Sequence, residues 1–300
     1  MNEERLELQT RLVPLSTGIT LNVRIGGQGR PIIFLHGFPE SHRTWRHQIS
    51  ALSSDHLVIA PDQRGFAGSE KPQAAEEYQT DVIVADLIAL ADALEIKAFT
   101  LVGHDWGGAA SWLAALRHPD RIERLVIVNA PHPLIFQKSL IEHREQREAS
   151  QYMNAFRNPL MEVGVRAMGL ERFFEKSFSS HVDVASIPDE ERRAYLRDWA
   201  LPGALTAMFN WYRASKIEVP KPDEEASLPL WTRMPFPSLK IPTLVIWGMR
   251  DKALLPVQLE GLEKLVGDLR LVQVEDAGHF VPWEKPEAVT QAIRAFLAED

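Results

Sequence analysis

Three positions far apart in the chain carry residue types that together can make and break an ester. Asp105 lies within Gly103-His104-Asp105-Trp106-Gly107-Gly108, Asp251 ends Trp247-Gly248-Met249-Arg250-Asp251, and His279 sits in Asp276-Ala277-Gly278-His279-Phe280. A carboxylate is ionised near neutral pH, so an aspartate at 105 needs no base before it attacks an electrophilic carbon. Water must then free the resulting ester, and His279 is the expected general base. Asp251 is expected to fix the imidazole tautomer and to stabilise the imidazolium that forms. Taken singly, the three read as a turn aspartate, a capping aspartate and a loop histidine. Each follows a strand-like run, and they come in the chain order nucleophile, acid, histidine, which favours catalysis.

Short apolar runs bounded by turn signals, at residues 31–35, 57–60, 99–102, 125–128, 243–247 and 269–274, read as buried parallel strands. Amphipathic segments at 82–95, 109–117 and 259–266 alternate with them, the β-α-β order of a parallel α/β sheet. Residues 11–24 read as an antiparallel strand pair feeding that sheet. At Asp105 the pattern is strand, sharp turn, helix; Gly103 and Gly107 are small enough to let helix approach strand while the central residue takes strained backbone angles. The alternation stops after Asn129 and resumes near Lys240. The stretch between, rich in helix formers, aromatics and charge, is expected to be a helical cap over about residues 131–238, inserted between core segments 1–130 and 239–300. Its proline-rich end, 220–229 and 235–237, is expected to be extended. Ligands of open α/β sheets bind at the carboxyl ends of the strands, so such a cap would enclose a pocket there.

At these residues the chain resembles the epoxide hydrolases of the α/β-hydrolase superfamily and, more distantly, the haloalkane dehalogenases, over nearly its whole length. The likeness rests on His36-Gly37-Phe38-Pro39-Glu40-Ser41, on the segment 61–69 with its Arg64-Gly65 turn, on residues 103–108, on Asn210-Trp211-Tyr212-Arg213, and on the Asp251 and His279 segments. It implies the α/β-hydrolase fold, a mostly parallel central sheet flanked by helices with an inserted helical cap. It implies conversion of an epoxide to a vicinal diol, with two cap tyrosines holding and protonating the epoxide oxygen. Tyr212 matches the Asn-Trp-Tyr-Arg motif; Tyr152 heads Tyr152-Met153-Asn154-Ala155-Phe156, where Arg157 stands in place of the family's frequent glutamine. The plainer reading of both is aromatic packing. Hydrolysis of the ester places an oxyanion on the Asp105 carboxyl, and the backbone N–H groups of Phe38 and Trp106 are the expected donors, since Pro39 has none. Phe38, Trp106, Phe156 and Trp211 are the expected substrate contacts, and the cap aromatics point to an apolar or aromatic epoxide. His104 is expected to pack behind the nucleophile.

Composition narrows the alternatives. With 33 Lys+Arg against 41 Asp+Glu the formal charge is -8, so the basic field that nucleic acids require is missing. The acidic start, residues 1–5, precedes no apolar leader, and the apolar stretch 82–96 carries Asp86 and Asp92; neither a leader nor a membrane span is expected. The absence of cysteine excludes disulfides, thiolate metal sites and a cysteine nucleophile, and points to the cytoplasm. Gly26-Gly27 lacks the spacing of a dinucleotide fingerprint, so no cofactor and no metal are expected. The expected partners are a small-molecule substrate and water, in a monomer or homodimer. A haloalkane dehalogenase could use the same three groups, with indole donors from Trp106 and from Trp199 or Trp211 for the halide. A haloacetate dehalogenase would need arginines where Trp106 and Ala109 stand, and an esterase would need serine at 105. A non-catalytic ligand-binding relative need not keep nucleophile, acid, histidine and tyrosines together.

Overall fold

A computed structural model describes residues 6–299; the acidic start read above as carrying no leader lies outside them. Five of the apolar runs become strands because segments buried on both faces can bond their backbone groups only to one another; the run at 269–274 also forms a strand, but at the edge of the sheet, where Leu271 is 43% exposed and the expected burial is not met. The strands are β1 (Leu6–Pro14), β2 (Thr20–Gly27), β3 (Pro31–Leu35), β4 (Leu57–Pro61), β5 (Phe99–His104), β6 (Ile122–Val128), β7 (Thr243–Gly248) and β8 (Leu269–Val274). They form one sheet in the order β1-β2-β4-β3-β5-β6-β7-β8. The β1–β2 and β2–β4 pairs are antiparallel and the remaining pairs parallel. Successive side chains serve opposite faces: Leu101 joins one apolar cluster and Val102 the other.

Helices α1 (Arg46–Leu52), α2 (Thr80–Ala93) and α3 (Trp106–Arg117) connect the early strands. After β6 come α4 (Pro133–Glu142), α5 (Arg144–Ala149), α6 (Gln151–Arg157), α7 (Met161–Met168), α8 (Leu170–Phe178), α9 (Asp189–Ala200) and α10 (Ala204–Ala214). After β8 come α11 (Val281–Glu284) and α12 (Pro286–Leu297). Apolar side chains of α1 and α12 cover one face of the sheet, and those of α2 and α3 the other. Val128 of β6 pairs with Ile246 of β7, so the chain leaves the sheet after β6, runs through α4 to α10, and returns to the neighbouring position. The segment after α10 forms no α-helix, as expected, but it is not extended throughout: it turns at Pro222-Asp223, where the Glu224 N–H donates to the Lys221 carbonyl at 3.0 Å, and again in a 3-10 turn at Leu230–Arg233.

One expected helix does not form. Residues 259–266 fall in two 3-10 turns, Pro256–Leu259 and Leu262–Lys264, separated by Gly261 at φ +83°. A glycine in the left-handed region breaks the helical run, and each remaining piece is too short to continue as an α-helix. Among the described residues, no helix is long and apolar enough to cross a membrane.

Candidate active site

The site begins with the order of the strands. The chain passes from β4 across β3 to β5, and this reversal opens a crevice at the carboxyl ends. Because β3 and β5 pair in parallel with Leu35 opposite Gly103, the loop after β3 and the turn after β5 leave the sheet side by side. Between the end of β5 and the start of α3 stands Asp105, with φ 50° and ψ -120°. That backbone is costly for a residue with a Cβ and persists only where its surroundings impose it. Here the close approach of α3 imposes it: a Cβ on Gly103 would run into the Gly107 backbone and the Ser111 hydroxyl, and one on Gly107 into the Leu35 and His36 carbonyls.

The Phe38 N–H donates to Asp105 Oδ1 at 2.8 Å. Trp106 opens α3, so its N–H is among the donors that a helix leaves without an intrahelical partner. The other carboxylate oxygen, Oδ2, lies 3.7 Å from His279 Nε2. On the far side of the imidazole, Nδ1 donates to Asp251 Oδ2 at 2.7 Å. Asp251 also accepts from Asn129 Nδ2 at 2.8 Å and from the Ala253 and Leu254 N–H groups at 2.8 and 2.9 Å. Burial would raise its pKa, but His279 and these donors hold it below the usual carboxylate range. Burial would likewise strip His279 of its proton; the charge and hydrogen bond of Asp251, with the charges of Asp105 and Glu40, together outweigh that, and the pKa is raised to about 9.

Two supports of this triad are not evident in the sequence. Asn129, buried at the end of β6 with φ +40°, accepts from the Gly248 N–H at 2.9 Å while donating to Asp251, and so ties β6 to the loop that carries the acid. Its signal was an asparagine immediately after a strand, one of the few non-glycine residues that tolerate positive φ. The second support is the pair of Glu40 and His104. His104 Nε2 lies 2.9 Å from the His279 carbonyl oxygen and Nδ1 lies 2.9 Å from Glu40 Oε2. A carbonyl only accepts, so Nε2 is the donor to His279, and Nδ1 faces the Glu40 carboxyl. His104 therefore does more than the expected packing: it anchors the main chain of His279.

Above the triad lies a cavity of about 280 Å³ bounded by Asp105, His279, Phe38, Phe156, Tyr152 and Tyr212. Tyr152 comes from α6 and Tyr212 from α10, with ring centroids 6.1 Å apart. Phe156, one turn beyond Tyr152, packs 4.9 Å from Tyr212, and the Trp106 ring meets Tyr212 edge-on at 5.1 Å. Burial first, and the negative charge of Asp105 second, push both phenols well above their ordinary pKa, so both remain proton donors. Tyr78 donates its hydroxyl to the Pro72 carbonyl at 2.6 Å; among the described residues, neither Tyr152 nor Tyr212 donates to a protein acceptor. Trp211 stands outside the cavity wall. Its indole N–H donates to the Arg64 carbonyl at 3.0 Å and its ring packs behind Trp106. The Trp199 indole donates to the Pro39 carbonyl at 2.9 Å.

A family model described as the alpha/beta hydrolase fold matches residues 30–286. This chain belongs to the α/β-hydrolase family. Among α/β-hydrolases similar to it, the AB hydrolase superfamily protein YfhM of Bacillus subtilis is 33% identical over 94% of this chain and 96% of its own length. Epoxide hydrolase 4 of Mus musculus is 30% identical over 93% of this chain and 76% of its own length. A solved structure, described among novel epoxide hydrolases of the superfamily in metagenomes from hot environments, is 48% identical, with a TM-score of 0.91 over 98% of this chain and 100% of its own. The resemblance read from the motifs thus holds for family and fold, and this α/β-hydrolase is an enzyme of the hydrolase class.

Proposed function

We propose that the protein is an epoxide hydrolase that converts an epoxide bearing an apolar or aromatic group to a vicinal diol through an ester on Asp105. The observation that carries this reading is the meeting, in one cavity, of a carboxylate beside a histidine–aspartate pair with two phenols that hold their protons and have no protein acceptor. The names of the similar proteins support it. Residues 131–238 act as the cap that brings Tyr152 and Tyr212 over the nucleophile.

In the first step a carboxylate oxygen of Asp105 attacks an epoxide carbon, the ring C–O bond breaks, and the released oxygen takes a proton from Tyr152 or Tyr212. An alkoxide is too basic to leave unassisted, which is the reason the phenols are needed. In the second step His279 removes a proton from water, the hydroxide attacks the ester carbonyl, and the tetrahedral oxyanion is received by the Phe38 and Trp106 N–H groups, each worth on the order of 3 kcal/mol. Collapse expels the diol and restores Asp105, and the proton on His279 returns to the phenolate.

A haloalkane dehalogenase would use the same carboxylate and histidine but needs N–H donors for the departing halide. The Trp199 and Trp211 indoles are engaged by backbone carbonyls, which argues against it. The test is a parallel assay of the purified protein for diol from racemic styrene oxide and for halide from 1-bromobutane. The expected result is diol, lost by about 100-fold or more in Tyr212→Phe; halide release without diol overturns the reading.

A further inference from the structure

The space around Asp105 has two unlike ends. On one side a chamber of about 70 Å³ shares Asp105, Tyr152 and Tyr212 with the main cavity and is otherwise walled by apolar groups, among them Trp106, Phe136, Met153, Ile217 and Leu254. On the other side the main cavity leads from Asp105 to Lys176, Ser177, Ser180, His181 and Lys252. Both lysines are exposed, and among the described residues neither is in ion-pair contact with an acid. Their acidic neighbours in sequence are engaged elsewhere: Glu175 with Arg192 at 3.4 Å, and Asp251 with His279 and Asn129 in the interior. His181 Nδ1 accepts from the His279 N–H at 3.3 Å, which leaves Nε2 as its protonated, donating nitrogen. In a chain of net charge -8, two lysines outside any ion pair among the described residues and an N–H donor thus line one cavity.

We propose, resting on the epoxide hydrolase reading, that the substrate is an epoxide substituted on both carbons, with a compact apolar group on one and a chain ending in a carboxylate on the other. The apolar group fills the chamber beside Trp106, the oxirane lies between Asp105 and the two phenols, and the carboxylate reaches the rim formed by Lys176, Lys252 and His181. A rim site suits a carboxylate because neither partner need be stripped of water, whereas an anion in the interior would face Asp105 and Asp251 across a low dielectric. Exposed pairs of this kind contribute modestly, roughly threefold in affinity each, and also speed capture at low salt. The groups lie away from the reacting atoms and bind ground and transition states alike, so their effect falls on KM rather than kcat.

The experiment compares three probes with the same phenyl-substituted trans-epoxide, their second arm ending in a carboxylate, its methyl ester or a primary amine. Styrene oxide is a fourth probe, and the enzymes are wild type, K176Q/K252Q and K176E/K252E. The readout is the ratio of kcat/KM for carboxylate over ester within each enzyme, so that a general loss of activity cancels. The expected ratio in wild type is about 10 at an ionic strength of about 0.01 M, carried by KM, and it collapses toward unity near 1 M salt, where screening is complete within a few ångströms. It falls toward unity in K176Q/K252Q, and in K176E/K252E the preference inverts in favour of the amine. Turnover of styrene oxide with equal handling of acid and ester in wild type overturns the proposal, as does a preference that survives in both variants. Absence of diol from every probe, styrene oxide included, overturns the reaction itself and this proposal with it.

Discussion

His279 holds its proton up to about pH 9 because two carboxylates of the site, Asp251 in contact and Asp105 across 3.7 Å, outweigh the effect of burial. Ester formation converts Asp105 to a neutral group and removes one of those charges, so the histidine becomes easier to deprotonate at the step that needs a base. The account therefore predicts that ester hydrolysis, followed in a single turnover, rises with pH through one midpoint lying below 9. A hydrolysis rate flat from about pH 5 to 9 would contradict it. In His279→Ala the ester should form and accumulate, visible as added mass on the intact protein, while turnover falls by about 1,000-fold or more. Asp105, Asp251 and His279 are legible in the sequence because each combines a reactive residue type with a strand end. Glu40 and Asn129 are not, because their roles depend on which distant groups they meet: Asn129 bridges Gly248 and Asp251, and Glu40 holds the His104 ring that meets the His279 carbonyl.

Helix geometry separates two neighbours that the motif at 210–213 presents together. Adjacent positions on α10 point about 100° apart, so Tyr212 reaches the cavity while Trp211 turns to the Arg64 carbonyl; the motif alone does not say which faces the substrate. The segment 259–266 shows the opposite failure, an apolar periodicity that a single glycine at φ +83° overrides. On α9, Asp198 raises a question of stability. Burial, followed by the charge of Asp62, pushes its carboxyl up to about 6, only partly offset by Arg43, His42 and Arg197. An acid that binds its proton more tightly folded than unfolded leaves the fold unpenalised well below pH 3.8, and its stabilising proton is lost as pH rises through about 6. Asp198→Asn should thus raise the melting temperature by a few degrees at about pH 7.5, on the order of 1 kcal/mol after allowing for partial exposure. The gain should shrink toward zero near pH 4; a gain independent of pH contradicts the assignment.

At the scale of the whole molecule, the alternation of apolar runs and amphipathic segments makes the parallel sheet legible, and its interruption between Asn129 and Lys240 marks where chain leaves and re-enters it. Strand order is less legible, since periodicity does not say that β5 lies beside β3. Yet that adjacency delivers the Phe38 N–H to Asp105, and the segment between β6 and β7 supplies Tyr152 and Tyr212. The central claim is that these separately supplied groups pass the substrate through a covalent ester, in which the oxygen of Asp105, not of water, enters the diol. The most direct measurement is a single turnover with enzyme in excess in heavy-oxygen water, followed by mass analysis of the diol and of the peptide containing Asp105. The account predicts an unlabelled diol and label in Asp105; a labelled diol with unlabelled Asp105 would mean that water attacks the epoxide directly and that no ester forms.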